Sequence, residues 1–209
     1  MKEKYKPIIY CALLSGFQGL MYLLGKLSPL KAHMVGNSID NVIPFVPIFI
    51  YAYVSWYVML FIIPTFFYYK NKTIFLKYCY SIFVSIIICF LIYILFPTAM
   101  IRPETSISGV TGFIIKTVYW VDTPILNCFP SMHCLISFIL IYFSLFEKEV
   151  KPVYKLITIV WGLLIVLSTV FVKQHVVIDV ISAFVISILV FIFVNKSKKI
   201  KEKISKSKL

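Results

Sequence analysis

Long apolar runs, broken at short charged or proline-containing stretches, dominate the pattern of this 209-residue chain. Runs of about 18 residues recur, each long enough to cross roughly 30 Å of hydrocarbon as a helix. They predict six spans, at about 8 to 25, 43 to 69, 78 to 96, 131 to 146, 156 to 171 and 176 to 194, with breaks at stretches such as "YYKNKT" and "EKEVKP". The fourth and fifth are short for full spans, which sets their ends in the headgroup region. Pro44, Pro47 and Pro64 in the second predict kinks, which a membrane bundle absorbs through neighbouring groups. The expected fold class is all-α: a polytopic membrane protein with six transmembrane helices, forming one integral domain over residues 1–209.

Composition agrees: the chain is 61% hydrophobic and 14% charged and carries no Gly/Ser-rich or Pro-rich linker, as one compact membrane unit would. A net charge of +13 would suit a nucleic-acid binder, but its distribution argues against that partner. With the N-terminus inside, 16 of the 21 basic residues fall on cytoplasmic segments: Lys2 to Lys6, Lys70 to Lys77, Lys148 to Lys155, and Lys196 onward. That asymmetry predicts cytoplasmic N- and C-termini. Residues 196–209 then form a basic cytoplasmic tail that anchors the topology and meets anionic lipid. Lys26, Lys31, Arg102, Lys116 and Lys173 are left on the outer side. The first run contains Gln18 and no convincing small-x-small cleavage site, so it is expected to be kept as a helix. Cys11, Cys79 and Cys89 lie within spans and act as small hydrophobes. Cys128 and Cys134 flank an outer polar stretch, and their spacing leaves a disulfide between them open.

With this orientation, three segments distant in sequence bring polar groups to one membrane face: Arg102 in "FPTAMIRPE", His133 in "CFPSMHC", and His175 with Asp179 at the start of the last span. Four residues apart, His175 and Asp179 are expected to stack on one helix face with the aspartate one turn deeper. Asp179 would accept a hydrogen bond from one ring nitrogen, fix the tautomer and leave the other nitrogen basic; the plainer reading is a structural pair. An aspartate in a membrane costs about 2.5 to 3.5 kcal/mol on insertion scales, and so marks function more often than not. Pro130 and Ser131 read as a helix start, with the backbone N–H groups of Ser131 and Met132 turned outward as a ready anion site. His133 in that first turn is within reach of such an anion and can protonate a leaving oxygen, although by itself it would pass for an interfacial histidine. Arg102, the single arginine beside 20 lysines, has the planar fork that suits phosphate oxygens, and Lys173 adds a second positive charge.

Together these residues resemble the type 2 phosphatidic acid phosphatase and vanadium haloperoxidase superfamily. "PSMH" at 130–133 is similar to its PSGH motif, and "ST" followed by five residues, His175, three residues and Asp179 is similar to SRx5Hx3D. Arg102–Pro103 resembles the end of KxxxxxxRP, and the similarity covers about residues 90–185, the expected catalytic core. The resemblance implies that His175 attacks phosphorus, Asp179 supports it and His133 protonates the leaving alkoxide. Arg102, Lys173 and the amides of Ser131 and Met132 would hold the negative oxygens. The chain departs from the pattern in three places: Leu95 stands for the lysine, Thr169 for the second arginine, and Met132 for the glycine. "FPTAMIRP", "CFPSMH", "STVFVKQHVVIDVI" and "SIDNVIPFVP" resemble the branch of inositol phosphorylceramide synthase, whose members move a phosphorylated headgroup between lipids. A phosphodiester carries less charge than a monoester, which fits fewer cations.

The expectation is therefore a lipid phosphatase or phosphotransferase of the cell membrane, its site extracytoplasmic, its partner a lipid phosphate or phospholipid, with no cofactor and no metal. His33 and Asp40 could meet a polar acceptor, though loop residues of this kind more often cap or face solvent. Residues 109–120 predict a short interfacial helix beside the site. The competing readings are a small transporter or lipid-binding protein whose polar groups line a pathway, and a metal site of His133, His175 and Asp179.

Overall fold

A computed structural model describes residues 3–104 and 106–207. It is 75% helical, and the described strand is a single parallel pair of two-residue segments. In order the chain forms α1 (Lys6–Gly25), β1 (His33–Met34), α2 (Ser38–Val42), α3 (Ile50–Lys70), α4 (Lys72–Leu95), β2 (Thr98–Ala99), α5 (Gly109–Val121), α6 (Met132–Phe146), α7 (Pro152–Phe171), α8 (Val177–Lys196) and α9 (Lys198–Lys206). Five helical stretches are long and apolar enough to cross a membrane: Glu3–Gly25, Pro47–Lys70, Lys72–Leu95, Pro152–Phe171 and Val177–Lys196.

The second predicted span begins later than its apolar run. Pro44 lies in extended chain and Pro47 opens a single 3-10 turn, Pro47–Phe49, so that α3 starts at Ile50 and contains only Pro64. The cause is local: proline cannot donate to a helix ladder and drives its predecessor to extended backbone. The freed amide of Val46 donates instead to the carbonyl of Phe171 at 2.9 Å.

α6 has 15 residues and so measures about 22 Å, short of a hydrocarbon core. It is nevertheless the central helix, packed by α3, α4, α7 and α8, with most of its residues buried. A helix apolar on every side belongs in such a position. At one end of the bundle Lys77 pairs with Glu147 at 3.5 Å and Asn71 donates to Glu149 at 2.8 Å. At the other, the Tyr93 hydroxyl donates to the Pro130 carbonyl at 2.9 Å. α6 therefore runs antiparallel to α4 between the same two ends, enclosed by protein.

Those ends differ in chemistry. The first gathers lysines from the starts of α1, α4 and α7 and the end of α8, and α9 lays Ile200 and Ile204, one turn apart, against α4. The second brings together the ends of α1, α4 and α7 with the starts of α3, α6 and α8, where β1 pairs with β2 in the register His33 to Thr98.

Candidate active site

The connection from α7 to α8 is a tight turn held by two interlocking hydrogen bonds. The Gln174 amide donates to Thr169 O at 2.9 Å and the Lys173 amide to Val170 O at 3.1 Å, which puts Lys173 in the left-handed region at φ 53°. Glycine usually fills that position in a Schellman ending, because a Cβ is penalised there. Here the side chain anchors the turn: Lys173 Nζ donates to the carbonyls of Asp40 at 2.9 Å and Ile43 at 2.6 Å. The ammonium expected at the phosphate is thus engaged on backbone oxygens. Asp40, considered as an acceptor contact, takes the Val177 amide at 2.8 Å and caps α8. His33 stacks on Phe96 with ring centroids 4.4 Å apart.

His175 does not share a helix face with Asp179. α8 begins at Val177, so His175 lies in the turn, its amide on Thr169 O at 3.0 Å, and Asp179 reaches back across the helix start. Asp179 Oδ2 is 3.1 Å from His175 Nδ1 and also accepts the Val176 amide at 3.1 Å. Asp179 is fully buried in the first turn of α8, where the peptide dipoles favour a carboxylate. With Nδ1 engaged, Nε2 is the nitrogen of His175 left free to react.

Ser131 caps α6 as its sequence suggests, its hydroxyl accepting the Cys134 amide at 3.3 Å. Its own amide donates to Asp179 O at 3.3 Å and so ties α6 to α8. Of the two amides expected to face an anion, Met132's remains in the first turn, where a helix offers it no acceptor. His133 is clasped by α3: Tyr53 stacks on it at 4.5 Å and Trp56 lies 4.2 Å away. Its centroid is 6.0 Å from that of His175, and its Nε2 is buried with no partner among the described residues. Cys128 and Cys134 are both free thiols, which answers the open disulfide question. Burial pushes the Cys128 thiol up to about 12, and Cys134 Sγ instead contacts Thr169 Oγ1 at 3.4 Å.

The side chain of Arg102 is almost wholly buried. Its Nη2 donates to the Asp122 carboxylate and to Gln174 Oε1 at 3.0 Å, and its guanidinium lies 5.0 Å from the centroid of the Tyr119 ring. Burial raises the Tyr119 phenol to about 12 against the pull of Arg102, so it stays neutral and donates to Val172 O at 2.8 Å. Arg102 Nε and Nη1 have no partners among the described residues. Asp122 also accepts from Tyr22 and pairs with Lys26 at 3.5 Å.

A cavity of about 460 Å³ opens at this point. His133, His175, Gln174 and Asp122 line its polar head, and its stem runs between α1 at Gln18 and Tyr22 and α3 at Tyr57 and Phe61. Sequence reasoning brought His133, His175, Asp179 and Arg102 to one region, and the structure gathers them there. It missed Tyr53, Trp56, Asp122 and Gln174. The aromatic pair had a signal in its three-residue spacing on a helix face, and Asp122 in the scarcity of acids near apolar runs. Neither family cation that is absent from the sequence has a charged substitute at its own position: Leu95 is exposed, and Thr169 is buried with its hydroxyl on Val166 O at 2.7 Å.

The family model of the PAP2 superfamily matches residues 74–202, more than half of the chain and all of Arg102, Asp122, His133, Gln174, His175 and Asp179. No curated protein and no solved structure matches it.

Proposed function

The chain belongs to the PAP2 superfamily, whose members are phosphoesterases, and from that premise we propose a membrane-embedded lipid phosphatase or phosphotransferase that works through a phosphohistidine on His175. The observation that carries the reading is the Asp179-oriented His175 ring facing His133 at 6.0 Å across the head of the cavity. Nε2 of His175 attacks phosphorus while the bond to the leaving oxygen breaks, and His133 gives that oxygen its proton. His133 then takes a proton from water or an alcohol, whose oxygen attacks phosphorus and releases His175. Arg102, Gln174 and the first-turn amide of Met132 supply donors for the oxygens as charge develops. The aromatic walls at Tyr53 and Trp56 exclude water from the attacking face.

In this reading the chain crosses the membrane six times, with α6 as the enclosed fourth crossing. The lysine-rich end lies in the cytoplasm and the cavity opens toward the outer leaflet; the charge asymmetry supports this orientation. The cavity stem between α1 and α3 suits a lipid chain entering sideways.

Headgroup transfer between lipids, as in inositol phosphorylceramide synthase, is the second reading. The uncharged residues at Leu95 and Thr169 favour it, because a phosphodiester asks for fewer cations. The test offers purified protein labelled lipid phosphates and phosphodiesters with and without diacylglycerol, inositol or long-chain alcohols. Free phosphate identifies the hydrolase, and a new lipid product without phosphate identifies the transferase. His175→Ala should lower either rate at least ~10²-fold. A variant that matches wild type on every substrate would leave the transport reading in its place.

A further inference from the structure

The cations around His175 are fewer than the sequence suggests, and each is already engaged. Lys173 is held by the carbonyls of Asp40 and Ile43. Lys26 donates to the Pro124 carbonyl at 2.9 Å and pairs with Asp122. Arg102 remains, and its Nη2 lies on the same Asp122. Asp122 lines the cavity head, so a ligand there meets a carboxylate that engages both Arg102 and Lys26 and leaves these three groups one net positive charge.

What surrounds the head in surplus is donors whose charge is absent or already compensated. Gln174 is 3% exposed; its Oε1 accepts from Arg102 at 3.0 Å and from the Tyr53 hydroxyl at 3.4 Å, which leaves Nε2 as a buried donor with no partner among the described residues. Arg102, whose side chain is 4% exposed, holds Nε and Nη1 in the same condition. Buried donors without partners are unfavourable unless a ligand completes them. These can serve the oxygens of a phosphoryl group, but with Asp122 beside them they supply no second uncompensated positive charge.

From this we infer that Asp122 is the charge selector of the site: by holding Arg102 it suits the centre to phosphoryl groups carrying one negative charge and disfavours those carrying two. The inference rests on the phosphoryl-site reading above and deepens it toward phosphodiesters. A monoester loses its second proton near pH 6, so at pH 8 it is a dianion, whereas a diester stays a monoanion. In a partly desolvated cavity, one extra charge beside a carboxylate amounts to at least about tenfold in affinity. Asp122→Asn would keep the shape and an acceptor for Arg102 and Tyr22 while removing the repulsion.

The test uses the full chain in lipid nanodiscs at pH 8. Binding of inorganic phosphate, mainly a dianion, is compared with binding of dimethyl phosphate, a monoanion, alongside kcat/KM for a lipid phosphomonoester and a lipid phosphodiester. Asp122→Asn should strengthen phosphate binding at least about tenfold more than dimethyl phosphate binding and move the kcat/KM ratio the same way. Asp122→Glu, which keeps the charge, should retain the wild-type ratios. An unchanged ratio in Asp122→Asn, or an equal loss toward both ions, overturns the selector and leaves Asp122 a structural ion-pair partner. Ion binding needs no turnover, so the two proposals fail separately. A protein that cleaves no lipid yet shows the shift keeps the selector and loses the enzyme; one that cleaves lipid through His175 without the shift does the reverse.

Discussion

Lys173 illustrates how one residue's conformation decides its role. It stands two positions before the reacting histidine, yet its ammonium holds two backbone carbonyls, and its backbone occupies a left-handed position where a Cβ is penalised by about 1 kcal/mol. Removing the side chain discards hydrogen bonds from a charged donor, worth about 2 kcal/mol, while keeping the backbone penalty. Lys173→Ala is therefore expected to melt below Lys173→Gly, which relieves the penalty, and both below wild type. Thermal midpoints in detergent check the order. If Lys173 bound phosphate instead, both variants would keep wild-type midpoints and lose affinity for phosphate equally.

At the scale of elements, the site depends on how α5 is seated. A Cβ at Gly112 would lie 2.0 Å from the carbonyl oxygen of Ile107, a backbone atom that cannot swing aside. α5 places Ile115 against Ile50, Tyr53 and Val172, and its Tyr119 lies under Arg102. Gly112→Ala should displace α5, cost about 1–3 kcal/mol of stability and raise KM several-fold with the histidines untouched; thermal melts and steady-state kinetics on one preparation read both. A variant with wild-type midpoint and KM would remove α5 from the site.

The same scale shows what the sequence made legible. Runs of apolar residues located the long helices, because length and hydropathy are local properties. The start of α3 was misread by several residues, since an apolar run carrying Pro44 and Pro47 stays apolar whether or not it is helical. His175 and Asp179 were paired correctly, but through a helix face that the Lys173 turn does not provide. The clasp of Tyr53 and Trp56 on His133, and the Asp122–Arg102 pair, join segments whose meeting is set by packing rather than by any local pattern.

Over the whole molecule, the lysine-rich end and the cavity end lie on opposite sides of the bundle, which makes orientation measurable. The five native cysteines are buried free thiols, and Cys128, raised to about 12, carries little thiolate at neutral pH, so the labelling background is low. Glu104→Cys at the cavity end should react with a membrane-impermeant maleimide in intact cells, and Ser207→Cys only after permeabilisation. The opposite pattern would turn the site toward the cytosol.

The central claim is that His175 carries the phosphoryl group, and rapid-quench labelling tests it most directly. Protein mixed with a lipid substrate labelled on phosphorus, then denatured within a turnover, should hold an acid-labile, alkali-stable label on the peptide containing His175. The label should form more slowly in His133→Ala, which lacks the proton donor for the leaving oxygen, and be absent from His175→Ala. Turnover of the same lipid with no label on His175 in any variant, and with His175→Ala as fast as wild type, would contradict the account.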